Sequence, residues 1–176
     1  MDNIRIFPNI ISGRRDLTGG GSTIYVNKNG ERFIDETKGG LTLGNAVLDQ
    51  EGGAFYIYDQ DLYENSYRLQ KHNALGYHVQ ADTLEELAEM IEVPVEKLQA
   101  TVDSYNASVE AGETDEFGRS YDENFNTFKL ANNKIEGQKY YAVRLNALCI
   151  MTLGGIQTNT DLQVLDASGT AIPGLY

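Results

Sequence analysis

The sequence predicts an α+β fold, and three observations carry that prediction. An Asn-Gly pair within Asn27-Lys28-Asn29-Gly30, set between Ile24–Val26 and Arg32–Ile34, marks a β-hairpin, because both residues tolerate the positive φ of a tight turn. Two amphipathic stretches downstream, opening at Thr83 and Pro94, carry helix-start residues and apolar positions at helical spacing. From Gly154 onward, short apolar runs (Ile156; Leu162, Val164 and Leu165; Ile172 and Leu175) alternate with turn residues at 158–161 and 166–169, the pattern of antiparallel strands joined by tight turns.

Taken in order, residues 1–23 read as loop, interrupted by Pro8, Gly13 and Gly19-Gly20-Gly21. The glycine run lacks the spacing of a phosphate cradle and no helix pattern follows it, so it predicts an approach to a strand. After the hairpin, Leu41–Leu48 reads as a short helix ended by Gly52-Gly53, and Ala54–Tyr58 as a buried strand. Asp61–Lys71, with Leu62, Tyr63, Tyr67 and Leu69, reads as one helical segment closed by Gly76. Asp82 or Thr83 caps the next helix, whose Leu84, Leu87, Ala88 and Ile91 share a face. Pro94 suits the first position of its successor, where Leu98, Val102, Tyr105 and Val109 recur before Gly112. The polar stretch 113–126 predicts an exposed loop, and its acids do not reproduce a calcium-loop spacing.

Length and composition narrow the function classes. A chain of 176 residues can bury a sizeable core, and 41% hydrophobic with 23% charged residues is the balance of a globular protein. No apolar run approaches the roughly 20 residues of a membrane helix. The net charge of −12 opposes nucleic acid and anionic lipid as partners. Cys149 is the only cysteine, which excludes an internal disulfide, and its run Leu148-Cys149-Ile150-Met151 predicts an inert packed thiol. Met1-Asp2-Asn3-Ile4-Arg5 has no signal-peptide pattern, so localisation stays unassigned with the cytoplasm as default.

No catalytic set is complete in these residues. His72 falls at a polar helix end, where a solvated imidazole is ordinary, and His78 at a strand position. No cluster has zinc spacing, so no metal is expected. On residues alone, a free-standing acidic binding module without catalysis stays open as the alternative.

The order Tyr140-Tyr141-Ala142-Val143, then Gly154-Gly155-Ile156, then Ile172-Pro173-Gly174-Leu175-Tyr176 resembles the flavoprotein subunit of the fumarate reductase/succinate dehydrogenase family. Ile24–Glu36 resembles the strand, turn and Gly-x-Arg-Phe hairpin that open the family's capping domain, and Ala81–Ala88 and Thr101–Asn106 resemble its two cap helices. The resemblance implies a piece of a longer chain: a linker at 1–12, a capping domain at 13–137, and a segment at 138–176 that returns to an incomplete flavin domain. It implies an FAD-dependent oxidoreductase acting on CH–CH or C=C bonds, with hydride passing between flavin N5 and a small unsaturated substrate. The partner it implies is the FAD-binding domain of the same parent chain, without which this chain holds no FAD and turns nothing over. Thr152, Gly154 and Gly155 are implied beside the flavin.

Two positions depart from the family pattern. The proton-donating arginine that follows the hairpin arginine Arg32 by eight positions falls on Gly40, and the substrate-binding histidine before Thr152 falls on Met151, its neighbour on Ile150. Glycine delivers no proton and methionine offers a carboxylate no charge-assisted hydrogen bond, so a standard C4-dicarboxylate site is not expected. Leu148, Ile150 and Met151 suit a less charged substrate. Arg14, Arg15, Lys38, Tyr140 and Tyr141 are the candidates to replace the missing acid, with Met151 and Thr152 also on the substrate side.

Overall fold

The computed structural model describes residues 4–9, 23–121, 132–152 and 155–176. In chain order these form β1 (Ile4–Asn9), β2 (Thr23–Asn27), α1 (Gly40–Leu48), β3 (Ala54–Asp59), α2 (Gln60–Glu64), α3 (Tyr67–Ala74), β4 (Val79–Ala81), α4 (Leu84–Met90), α5 (Val95–Ala111) and β5 (Tyr140–Thr152). The chain divides into two compact units, residues 6–148 and residues 1–5 with 149–176.

The larger unit is built on a mixed-order sheet, β1-β5-β3-β2, with β4 also paired to β5. β3 lies antiparallel to both neighbours, Tyr56 standing opposite Tyr25 on β2 and Val143 on β5. Alternation then sorts side chains onto two faces. Ile24, Val26, Ile57 and Ala142 meet Leu84, Leu87, Ala88, Leu98, Val102 and Tyr105 of α4 and α5. Tyr25, Tyr56, Tyr58, Tyr141, Val143 and Leu145 meet Leu43 and Val47 of α1 and Leu69 of α3. Helices cover both faces, which is why the central strands read as unbroken apolar runs rather than as an alternation.

The hairpin turn forms as expected, with Gly30 at φ +76° and Gly30 N–H donating to Asn27 O at 3.0 Å. Its returning limb is a single bridge, Val26 to Arg32, because the chain leaves there to turn inward. A Cβ on Gly30 would stand 3.0 Å from the Leu98 nitrogen, so this turn is the seat of α5, and Thr101 Oγ1 donates to Gly30 O at 2.7 Å. Thr83 caps α4 through Glu86 N–H at 3.1 Å, and the Glu86 carboxylate accepts from Asp82 N–H at 3.2 Å. Gly112 ends α5 in the left-handed conformation.

Several expectations are corrected. Residues 4–9 are a strand, not loop, and β1 ends the sheet order, the kind of strand in which a proline such as Pro8 is found. The segment read as one helix is two, since Asp59 caps α2 at Leu62 N–H and Ser66 caps α3 at Leu69 N–H. Pro94 is the N-cap of α5 rather than its first helical residue. The exposed loop expected at 113–126 holds only in part: Glu113, Thr114, Glu116 and Gly118 are exposed, but Arg119 and Tyr121 are carried into the core, and 122–126 lie outside the described residues. His72 is buried rather than solvated. Cys149 is exposed rather than packed.

In the smaller unit the expected strands shrink to isolated bridges, Thr158 to Val164 and Leu165 to Ala171. Each turn is organised by one side chain. Asn159 Oδ1 accepts from Asp161 and Gln163 N–H, and Asp166 Oδ1 accepts from Ser168 and Thr170 N–H.

Candidate functional site

Beyond Arg32 the chain folds into a short inward turn that ends at Gly40. Asp35, buried, accepts from Thr37 N–H at 2.8 Å and Thr37 Oγ1 at 2.6 Å, and its second oxygen lies 3.2 Å from Lys38 Nζ. The Lys38 side chain is half exposed at the lip of this turn. Gly39 then caps α1 without any side-chain hydrogen bond, and Gly40 is the first residue of the helix.

Glu36 anchors the turn from within. Its Oε1 accepts from Tyr25 N–H and Arg32 Nε, both at 3.0 Å, and its Oε2 from Arg32 Nη2 at 2.8 Å and Arg119 Nη1 at 3.0 Å. Arg32 also donates to Asp115 Oδ2 at 2.8 Å, and its guanidinium stands 4.7 Å over the Phe117 ring. Arg119 donates further to Thr23 O and Asn132 Oδ1, and lies over the rings of Tyr105 and Tyr121. Two guanidinium groups and two carboxylates thus neutralise one another away from water, with nearly every fork position used, the condition for keeping buried charge. Burial works against the charged forms, yet Glu36 raises Arg32 above its ordinary value, and Tyr105 and then Glu36 raise Arg119. The Asp115 carboxyl, which burial alone would raise, is held low by hydrogen bonds from Arg32 and Tyr121.

The two tyrosine candidates point to opposite faces of β5. Tyr141 is 3% exposed and stacks between Tyr58, at 5.0 Å, and Tyr63, at 4.6 Å. Burial and then Tyr63 raise its phenol, so it holds its proton at neutral pH. Tyr140 packs on the α4/α5 side, its phenol raised by burial and by Asp59. The structure therefore gathers Tyr141 and α1, which begins at Gly40, on one sheet face and sends Tyr140 to the other. Met151 and Thr152 close β5 in the smaller unit, where Gly155 is exposed with open space at the position of a Cβ. Arg14, Arg15 and Gly154 lie outside the described residues.

Arg119, Asp115 and Glu36 were missed by sequence reading. The signal that was available is the Arg32–Glu36 pair, opposite charges four residues apart amid Phe33 and Ile34. Among the described residues no three His, Cys, Asp or Glu side chains group as a metal site, and no helix is long and apolar enough to cross a membrane.

The larger unit is thus a sheet with helices on both faces and a hairpin whose arginine is locked to an inward turn. The chain belongs to the FAD binding domain family, whose model matches residues 1–176, and FAD is the cofactor this implies. It is 35% identical over 158 residues to an NADH:acrylate oxidoreductase of Vibrio harveyi, a match covering 87% of this chain and 15% of that protein. It is 31% identical to a urocanate reductase of Eggerthella lenta, over 87% of this chain and 25% of that protein. Its fold superposes on the open conformation of a flavocytochrome c3 fumarate reductase with a TM-score of 0.81 and 30% identity, covering 99% of this chain and 30% of that one. The chain thus spans less than a third of the length of each of these proteins.

Proposed function

We propose that residues 13–137 are the substrate-capping domain of an FAD-dependent oxidoreductase of the fumarate reductase type, and that residues 138–176 return to its flavin-binding domain. The reading is supported by the whole-length family match and by the likeness to the flavocytochrome c3 fumarate reductase. FAD, when bound, supplies hydride at N5 for a carbon–carbon double bond. Thr152, Gly154 and Gly155 hold the flavin side, Gly155 leaving room for a close approach of a ring.

The observation that carries the substrate side is the anchored turn. Glu36 and Asp35 hold residues 35–40 rigidly, so the groups at 38 and 40 are presented in one place. Gly40 has no proton to give, and Lys38, two positions earlier and steadied by Asp35, takes that role, with Tyr141, on the sheet face that α1 covers, as a second protonated group. With Met151 in place of a histidine, the substrate carries fewer carboxylates than a C4 dicarboxylate. The isolated chain neither retains FAD nor turns over.

The test expresses the full-length parent protein and records its visible spectrum. The bound flavin is then reduced anaerobically and its reoxidation followed with fumarate and with monocarboxylate and uncharged activated alkenes. Faster reoxidation by the less charged alkenes, slowed by Lys38→Met, is expected. A colourless protein sinks the flavoenzyme reading, and fumarate as the best oxidant sinks the substrate reading alone.

A further inference from the structure

One arrangement in the larger unit, which shares only Tyr141 with the proposed substrate side, is unexplained by packing. Tyr58 is fully buried, and its hydroxyl is hydrogen-bonded to His78 Nδ1. The His78 ring meets the Tyr58 ring edge-on at 5.7 Å and the His72 ring at 6.1 Å. On its other sides Tyr58 belongs to a continuous line of rings. Tyr63 lies 4.6 Å from Tyr141, Tyr141 5.0 Å from Tyr58, Tyr58 5.5 Å from Tyr56, and Tyr56 5.6 Å from Tyr25. Tyr25 continues to Phe33 at 6.5 Å. The end rings, Tyr63 and Phe33, are partly exposed, while the four tyrosines between them are buried. Packing would be served equally by phenylalanine, which brings no hydroxyl to satisfy.

We propose that Tyr58 and His78 form a redox-active pair that stores one oxidising equivalent, with the stacked tyrosines as the path along which electrons leave or reach it. The oxidant is an oxygen-centred radical, of the kind formed where dioxygen meets a reduced redox centre. The radical takes one electron and becomes its anion. Tyr58 loses that electron and its hydroxyl proton and becomes a neutral tyrosyl radical, and His78 Nδ1 gains the proton and becomes imidazolium.

Each part of the step has a reason in the site. Burial raises the Tyr58 phenol far above its ordinary value, so it cannot ionise first and its proton has to leave with the electron. Burial and the neighbouring His72 lower His78 to about 4, so its ring is neutral at ordinary pH. With its hydrogen on Nε2, Nδ1 is the acceptor the phenol faces, and Nε2 has no hydrogen-bond partner among the described residues. Tyr141, Tyr56 and Tyr25 are likewise raised by burial, so they too hold their protons at ordinary pH. This assignment goes beyond the proposed hydride chemistry and does not depend on it.

The test oxidises the full-length protein with azide radicals and follows tyrosyl absorbance in time, with electron paramagnetic resonance on freeze-quenched samples. One long-lived, hydrogen-bonded tyrosyl species is expected, lost in Tyr58→Phe and lost in His78→Gln even though Tyr58 remains. Near-ultraviolet circular dichroism identifies folded variants, and if Tyr58→Phe fails to fold, His78→Gln decides. A radical of unchanged yield and lifetime in either folded variant overturns the proposal, as does a wild-type signal that decays like that of surface tyrosines.

Discussion

Arg119 Nη1 lies 3.0 Å from Glu36 Oε2, and neither side chain reaches solvent, although 83 residues separate them in sequence. Glu36 also holds Arg32 through both oxygens, so one carboxylate serves two guanidinium groups and a backbone N–H. Glu36→Gln leaves both arginines short of charge in a dry site. We expect a loss of about 3–5 kcal/mol in unfolding free energy, measured by urea denaturation of the folded chain.

Asp115 governs the acid side of stability. Its folded pKa lies below that of an unfolded aspartate, about 3.9, so its contribution is present above that value and disappears as pH falls through the folded pKa. Asp115→Asn should destabilise the chain at neutral pH and flatten the stability profile below about pH 4. Urea midpoints across the acid range check this, and an unchanged slope there would count against it.

Gly30→Ala combines two penalties, a positive φ and a Cβ pressed on the α5 backbone. The left-handed conformation alone costs roughly 1–2 kcal/mol, and the contact adds to it. Calorimetry should show a lower melting temperature, and faster amide exchange at the start of α5.

Thr83→Ala removes the cap of α4 and should cost about 1 kcal/mol, while Thr83→Ser should cost far less. A pair of urea curves separates the two.

Gly40→Arg tests the substrate reading in the full-length protein. If an acid at this position is what fumarate chemistry lacks, reoxidation of the reduced flavin by fumarate should accelerate by about 100-fold. Stopped-flow absorbance measures it, and no change would mean that the anchored turn does not face the reacting carbon.

What could be read from sequence was local. The hairpin is written in Asn29-Gly30, α4 in Thr83 and Glu86, and the end of α5 in Gly112, because each signal acts within a few residues of itself. The break between α2 and α3 was hidden because Leu62, Tyr63, Tyr67 and Leu69 keep a helical rhythm across it, and only the caps Asp59 and Ser66 reveal it. Arg119 could not be read at all. Its stretch is polar and turn-rich like a solvent loop, and the groups that make burial tolerable, Glu36, Tyr105 and Asn132, come from three other parts of the chain. Tyr141 was singled out from resemblance, while its partners Tyr58 and Tyr63 follow only from strand register and the placement of α2.

Arg32, Arg119, Glu36 and Asp115 cancel one another's charge in the interior, which leaves the whole net charge of −12 to the remaining residues. Outside that quartet the chain has twice as many acids as bases, since two are withdrawn from each of 26 and 14. Simple electrolyte therefore has unequal effects on this protein: it damps the excess repulsion at the surface more than it weakens exposed pairs such as Lys97–Glu31, and it barely reaches the sheltered quartet, so moderate ionic strength should favour the folded state.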